Sequence, residues 1–292
     1  MSANINLILN PNAMQLQKTY VSSDGLRLFY RDYNTEADGC PILCLPGVSR
    51  NSRDFTELAE RLSIRRRILC PDLRGRGFSD WDTDYKNYTP PVYLQDVLGL
   101  LRKEKIEKVA LIGTSLGGII AMLMAVAAPG VLERVVMNDI GPEIAPEGLQ
   151  RVLDYLGTMP PQRNWEDAAK SVKANLGPAA PDLKDADWNT VARQVCREDK
   201  DGRVALDMDP KIGDAAREAA PPEGDPWRLF QALTPIPTLA IRGALSDLLT
   251  DETFEKMALA KPDLERVTVP NRGHAPFLNE PAAWTAIETF LK

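Results

Sequence analysis

The clearest candidate for chemistry is Ser115, which has one glycine two positions before it and another two positions after it. The apolar run 108–112 leads into this turn, of sequence GTSLG, and the apolar run 116–127 follows it with helical periodicity. A serine on so sharp a strand-to-helix turn projects its hydroxyl outward, while the glycines let the two backbones pass closely. The N–H of Leu116, at the helix start, then points to where an oxyanion would form. We expect Ser115 to be a nucleophile.

A serine hydroxyl reacts only when a base removes its proton, and His274 is the single histidine of the chain. It follows the apolar run 265–269 and lies in a loop of sequence GHAPF near the C-terminus. We therefore expect His274 to be the base. The same scarcity of histidine excludes most metal sites built from several imidazoles. With no cofactor motif in the sequence, we expect neither a metal nor a cofactor.

A carboxylate is expected beside the imidazole, where it would hold the tautomer and stabilise the imidazolium ion. Asp247 follows the apolar run 237–241 through a short loop that contains glycine. Asp139 follows the run 134–137, and a Gly-Pro turn comes almost directly after it. A structural role in this turn would explain the aspartate without catalysis. We prefer Asp247 as the acid and keep Asp139 as the alternative.

Short apolar runs alternate with amphipathic stretches along most of the chain. The predicted strands are 26–33, 41–45, 67–70, 108–112, 134–137, 237–241 and 265–269. The predicted helices are 52–62, 92–103, 116–127, 251–260 and 281–291. Several of the strands are continuously apolar, as expected of strands buried on both faces. The alternation predicts an α/β protein with a mostly parallel sheet covered by helices.

One segment interrupts this alternation. Residues 142–233 contain no convincing strand and are rich in Ala, Pro, Asp and Glu, so we interpret them as a helical insertion. The stretch 221–226, rich in proline, is interpreted as the linker that returns to the sheet. The sheet domain would then comprise residues 1–141 and 234–292.

Several motifs resemble those of the α/β-hydrolase fold superfamily, and the resemblance covers nearly the whole chain. The GTSLG turn is similar to the nucleophile turn of that superfamily, and 71–79 (PDLRGRGFS) is similar to its Asp-x-Arg-Gly-x-Gly-x-Ser turn. Residues 242–247 and 273–277 resemble the segments that supply the acid and the histidine. The resemblance implies an eight-stranded, mostly parallel sheet flanked by helices, with a helical cap after the sixth strand. It also implies a carboxylesterase-like serine hydrolase.

The loop that follows the third strand bears on the oxyanion site. Its sequence LCLPG resembles a loop that usually reads His-Gly, with Pro46 in place of the histidine. A tetrahedral intermediate needs two donors for its negative charge. We expect the N–H of Leu116 to be one and the N–H of Val48, directly after Gly47, to be the other. Proline has no N–H, so Pro46 leaves the backbone donor at Val48 intact.

Composition limits the remaining possibilities. The 292 residues carry 35 Lys and Arg against 41 Asp and Glu, a formal charge of −6 that disfavours non-specific nucleic-acid binding. No run approaches about 18 apolar residues, and the first six residues show no basic segment ahead of an apolar core, so we expect no membrane association and a cytoplasmic protein. Four cysteines without CxxC spacing are expected to be reduced thiols. The oligomeric state is left open.

Three functions remain compatible with these residues. The first is hydrolysis of a small-molecule carboxylic ester through an acyl-enzyme on Ser115. The second uses the same triad to break a carbon–carbon bond beside a ketone or to open a lactone, because a fold does not decide the substrate. The third is a non-catalytic receptor for a small ligand, against which the retained Ser, His and two candidate acids argue.

Overall fold

The computed structural model describes residues 15–220 and 224–292. The expectation for the first six residues lies outside the described residues, as does the start of the predicted linker 221–226. Within the described ranges, no helix combines the length and the apolar character needed to cross a bilayer.

Eight strands form one twisted sheet in the order β1-β2-β4-β3-β5-β6-β9-β10. Their bounds are β1 (Gln15–Val21), β2 (Arg27–Tyr33), β3 (Ile42–Leu45), β4 (Ile68–Pro71), β5 (Val109–Thr114), β6 (Leu132–Asn138), β9 (Thr238–Gly243) and β10 (Glu265–Val269). Only the pairings of β2 with β1 and with β4 are antiparallel; the other five are parallel. The predicted eight-stranded, mostly parallel sheet is confirmed.

Helices cover both faces of this sheet. They are α1 (Thr56–Leu62), α2 (Pro90–Lys103), α3 (Leu116–Ala127), α9 (Asp251–Ala260) and α10 (Pro281–Phe290), with short 3-10 turns at Ser52–Phe55, Tyr85–Asn87 and Pro129–Val131. The helices α2 and α10 begin with proline, whose fixed φ suits a first helical turn and whose missing N–H is not needed there.

The central strand β5 shows how the core is divided. Its residues Val109 and Leu111 pack into an apolar cluster that includes α2 and α3, whereas Ala110 and Ile112 pack on the opposite side with α1 and α10. Because successive side chains of a strand point to opposite faces, a strand covered on both sides has to be apolar throughout. This burial explains the continuous apolar runs in the sequence.

The chain between β6 and β9 contains the helices α4 (Pro146–Tyr155), α5 (Trp165–Leu176), α6 (Asp185–Val195), α7 (Lys211–Glu218) and α8 (Pro226–Gln231), with a 3-10 turn at Gly177–Ala179. It also contains an antiparallel pair of short strands, β7 (Cys196–Glu198) and β8 (Val204–Leu206). The expectation that this segment lacks strands is therefore wrong in detail, because three-residue strands carry too little pattern to be recognised. Trp188 is buried in a separate apolar cluster formed by α5, α6 and the β7–β8 pair.

Candidate active site

Ser115 lies at the tight turn between β5 and α3, where its backbone has a φ of +51°. This left-handed conformation is rare for a residue with a side chain and persists only where the surrounding structure enforces it. A Cβ atom on Gly113 would lie 2.4 Å from the backbone of Gly117, and one on Gly117 would lie 2.2 Å from the carbonyl oxygen of Leu45. The two glycines are therefore required by the close approach of β5, α3 and β3.

The side chain of His274 lies between Ser115 and Asp139, the residue that follows β6. Its Nε2 lies 2.9 Å from Oγ of Ser115, and its Nδ1 lies 2.8 Å from Oδ2 of Asp139. The imidazole is 9% exposed and the Asp139 carboxylate is fully buried. This geometry allows Nδ1–H to donate to the carboxylate while Nε2 accepts the serine proton, as a Ser-His-Asp arrangement requires.

Two further donors hold the Asp139 carboxylate in place. The backbone N–H of Gly243 donates to Oδ1 at 2.7 Å, and the hydroxyl of Ser246 donates to Oδ2 at 2.6 Å. Asp139 follows the end of β6 and has a φ of +55°, a conformation that aspartate tolerates better than most residues. Because both groups come from β9 and the loop after it, the neighbouring strand fixes the orientation of the carboxylate.

The preference for Asp247 as the partner of His274 is wrong. Asp247 lies in the same loop as Ser246, but it is 39% exposed and its carboxylate accepts two hydrogen bonds from Arg151 of α4, one of them 2.7 Å long. The hydrogen bonds from Arg151 lower the pKa of Asp247 and outweigh the effect of its partial burial. Asp247 thus joins the core to the segment between β6 and β9, while Ser246 reaches the carboxylate of Asp139.

Val48 and Gly47 lie beside Ser115 in the loop after β3. A methyl group built on Gly47 would lie 3.8 Å from Cβ of Ser115, and Val48 lines the same cavity as Ser115 and His274. Leu116 is the first residue of α3. Both backbone N–H groups are therefore next to the serine in space or in sequence, and their role as oxyanion donors stays a prediction.

The loop that carries Val48 is held by Arg76, which belongs to the turn 71–79. Arg76 is fully buried, and its Nε donates to the carbonyl oxygen of Val48 at 2.6 Å. Its guanidinium lies 4.8 Å from the ring centroid of Tyr93 and donates to that hydroxyl at 3.1 Å. The turn 71–79 therefore supports the site from behind instead of binding a substrate anion.

Asn138 supports the histidine loop from the end of β6. Its side-chain nitrogen donates to the carbonyl oxygen of Pro276 at 2.9 Å and to Oγ1 of Thr114 at 3.0 Å. This residue and Ser246 were both missed from sequence. Their only signal was their position next to the two candidate acids.

Ser115 and His274 open onto a cavity whose wall comes from two parts of the chain. The core contributes the loops after β3 and β10, and the segment between β6 and β9 contributes Val152, Tyr155, Leu176, Ala179 and Ala180. A second, smaller cavity adjoins the first, and both are lined by Ser49, Arg50, Tyr155 and Leu176. Among the residues that the structure describes, no group of three or more His, Cys, Asp or Glu side chains is arranged to hold a metal ion.

Comparisons with known proteins agree with this architecture. A family model described as the alpha/beta hydrolase family matches residues 42–288. The chain belongs to the alpha/beta hydrolase family. A crystal structure of an alpha/beta hydrolase from Novosphingobium aromaticivorans has a TM-score of 0.91 and 43% sequence identity, covering 96% of this chain and 98% of its own.

Two curated relatives of this alpha/beta hydrolase have specific names. The 3-hydroxybutyrate-oligomer hydrolase of Cupriavidus necator is 32% identical over 274 residues, which cover 90% of this chain and 92% of the relative. The 2-(acetamidomethylene)succinate hydrolase of Mesorhizobium japonicum is 28% identical over 247 residues, 84% of each chain. The family and these relatives agree on hydrolysis as the general reaction, and they differ in the compound hydrolysed.

Proposed function

We propose that this alpha/beta hydrolase is a serine carboxylesterase that acts through an acyl-enzyme intermediate. The observation that supports the proposal is the continuous chain of hydrogen bonds from Oγ of Ser115 through His274 to the buried carboxylate of Asp139, at the wall of a cavity. A neutral imidazole held between a hydroxyl and a carboxylate is the arrangement that turns serine into a nucleophile.

In the acylation step, Nε2 of His274 takes the proton of Ser115 while Oγ attacks the ester carbonyl. Asp139 stabilises the positive charge that develops on the imidazole, and its contacts with Gly243 and Ser246 fix it before the reaction begins. The N–H groups of Val48 and Leu116 serve as donors to the oxyanion of the tetrahedral intermediate. The intermediate collapses when His274 returns the proton to the departing alcohol.

In the deacylation step, His274 takes a proton from water, and the resulting hydroxide attacks the acyl carbonyl. The second tetrahedral intermediate breaks its bond to Oγ, the proton returns to Ser115, and the carboxylic acid leaves. Each proton that the imidazole accepts is returned within the same half-reaction, so the enzyme ends the cycle unchanged and needs no cofactor.

We assign residues 142–233 as the cap over this site, with residues 1–141 and 234–292 as the core domain. Val152, Tyr155 and Leu176 of this segment line the cavity together with the core loops. The preferred substrate class is an ester of a short hydroxy acid, which is supported by the similarity to the 3-hydroxybutyrate-oligomer hydrolase over most of both chains.

The experiment is covalent labelling followed by a substrate panel. A fluorophosphonate should add once to the wild type and not to Ser115→Ala, as read by intact mass, while Ser23→Ala, which removes an exposed serine, should label like the wild type. The panel compares the linear dimer of 3-hydroxybutyrate and nitrophenyl esters with a lactone and a vinylogous diketone.

The results separate the three functions. Turnover of esters that is lost in Ser115→Ala supports the proposal. Labelling with turnover of only the lactone or the diketone would favour the alternative chemistry with the same triad. A wild type that neither labels nor hydrolyses any member of the panel would overturn the proposal and favour the non-catalytic receptor.

A further inference from the structure

Arg50 is a charged residue at the junction of the two cavities, and the ester hydrolysis described above does not use it. We propose that its guanidinium binds a free carboxylate of the substrate, so that the preferred substrate is an ester that also carries an acid group. This inference rests on the proposed esterase function and narrows its substrate class.

Arg50 is close to the nucleophile. A methyl group built on Gly47 would lie 3.5 Å from Cγ of Arg50 and 3.8 Å from Cβ of Ser115, so the arginine stem and the serine flank the same glycine. The side chain is 16% exposed and lines both cavities. A group bound at the guanidinium would therefore belong to the same small molecule as a carbonyl placed at Ser115.

The guanidinium of Arg50 uses only one of its nitrogen atoms in hydrogen bonds to the described residues. Its Nε donates to Oδ2 of Asp54, four residues later in the chain, at 2.6 Å. Within the part of the chain that the structure describes, the Nη atoms have no hydrogen-bond partner, and neither is sealed inside the protein. A planar guanidinium presents five N–H donors, so an arginine that already holds one carboxylate can bind a second through its outer edge.

Another arginine of this protein binds several carboxylates at once. The guanidinium of Arg74 pairs with Asp24, Asp82 and Asp96 at 2.6 to 2.8 Å. One carboxylate beside an arginine therefore does not exhaust its capacity in this protein. Arg50 has one such partner where Arg74 has three.

The guanidinium of Arg50 is positively charged. Burial by itself lowers the pKa of the guanidinium, but the charge and hydrogen bond of Asp54 outweigh burial and raise the pKa above its ordinary value. Among the described residues that line the smaller cavity, Arg50 is the only charged one, and Met159, Val172 and Leu206 provide apolar surface. This surface fits a short aliphatic body attached to the acid, as in a hydroxy-acid dimer with a free terminal carboxylate.

The experiment measures kcat and KM for hydrolysis of the internal ester in two substrates: the linear dimer of 3-hydroxybutyrate, and its methyl ester, in which a methyl group replaces the negative charge. The quantity of interest is the ratio of kcat/KM for the acid to kcat/KM for the methyl ester. In Arg50→Gln we expect this ratio to fall about 10- to 100-fold, mainly through KM of the acid, because a charge-assisted bidentate contact is lost. Arg50→Lys, which keeps the charge but not the planar fork, should show a smaller fall and serves if the glutamine variant does not fold.

A matched control is available in Arg163→Gln. Arg163 pairs through Nε with Asp167 at the same spacing of four residues, but its side chain is 88% exposed and it lines neither cavity. The ratio in this variant should equal that of the wild type. An equal loss for both substrates in Arg50→Gln would overturn the inference and leave the esterase function intact. A wild type that hydrolyses nitrophenyl esters but neither of these substrates would also overturn the inference alone, and a wild type that hydrolyses no ester would overturn the proposed function and the inference with it.

Discussion

The hydroxyl of Ser246 donates to Oδ2 of Asp139, the same carboxylate oxygen that faces Nδ1 of His274. Ser246 immediately precedes Asp247, so one loop supplies a donor to the buried carboxylate and, at the next residue, a partner for Arg151 of α4. Two successive side chains of this loop thus contact the buried carboxylate and the segment between β6 and β9.

We expect Asp139→Asn to lower kcat by several orders of magnitude, about 10⁴-fold by analogy with the serine-protease triad, because the amide favours the wrong imidazole tautomer. Asp247→Asn breaks a partly exposed ion pair and should change kcat only a few-fold. The measurement is steady-state ester hydrolysis on variants with matched circular dichroism. A larger loss for Asp247→Asn would return the role of the acid to Asp247.

Ser246→Ala should lower kcat by about 10-fold, much less than Asp139→Asn. The variant removes one of two donors that orient the carboxylate, whereas Asp139→Asn removes the carboxylate itself. Ser246→Thr, which retains the hydroxyl, should recover part of the activity. Kinetics of the two variants test this role, and a loss that threonine does not relieve at all would argue against the hydrogen bond as its cause.

The nucleophile turn could be predicted because its signal is local: glycine spacing, an apolar run before it and an apolar run after it. The choice between Asp139 and Asp247 could not, since both residues follow strands that end at the same edge of the sheet. That choice depends on β6 and β9 being neighbours and on which way each side chain points. Strand β1 was missed for another reason: its residues Gln15, Gln17 and Lys18 are polar, and it lies at the edge of the sheet with little buried apolar surface.

We expect Gly117→Ala to reduce the free energy of unfolding by about 1–3 kcal/mol and to impair ester hydrolysis, because the added Cβ would meet the carbonyl oxygen of Leu45 at 2.2 Å. Gly130→Ala is the matched control. A Cβ at Gly130 meets nothing within 4 Å, so its stability should stay within about 1 kcal/mol of the wild type. Urea denaturation measures both changes, and equal stabilities of the two variants would contradict the close packing at Gly117.

The lowered pKa of Glu104 leads us to expect that the stability of the protein depends on pH. Burial alone would raise its pKa, but hydrogen bonds from Tyr30, Arg67 and Lys103 outweigh burial and hold the pKa at about 2. A carboxyl whose pKa is depressed by folding adds stability above the unfolded pKa of about 4.3 and loses this contribution as the pH falls towards 2.

The thermal midpoint of Glu104→Gln should therefore lie furthest below that of the wild type near pH 7, and the gap should narrow between pH 4 and pH 2. Thermal denaturation followed by circular dichroism at each pH measures the gap. Glu107→Gln, at an exposed position, should show no comparable trend. A gap that stays constant over this range would refute the contribution of the ionised Glu104 side chain.

The parallel pairing of β6 with β9 brings Val136 next to Leu239, although the helices α4 to α8 lie between these residues along the chain. Such a non-local pairing forms slowly. The two ends of a long loop have to meet, at a cost in chain entropy, before contacts between the strands can offset that cost. During synthesis from the N-terminus, β6 leaves the ribosome with an open edge, and β9, β10 and His274 follow only after the helices α4 to α8. The hydrogen-bonded arrangement of Ser115, His274 and Asp139 therefore forms only after the whole segment between β6 and β9 has been made.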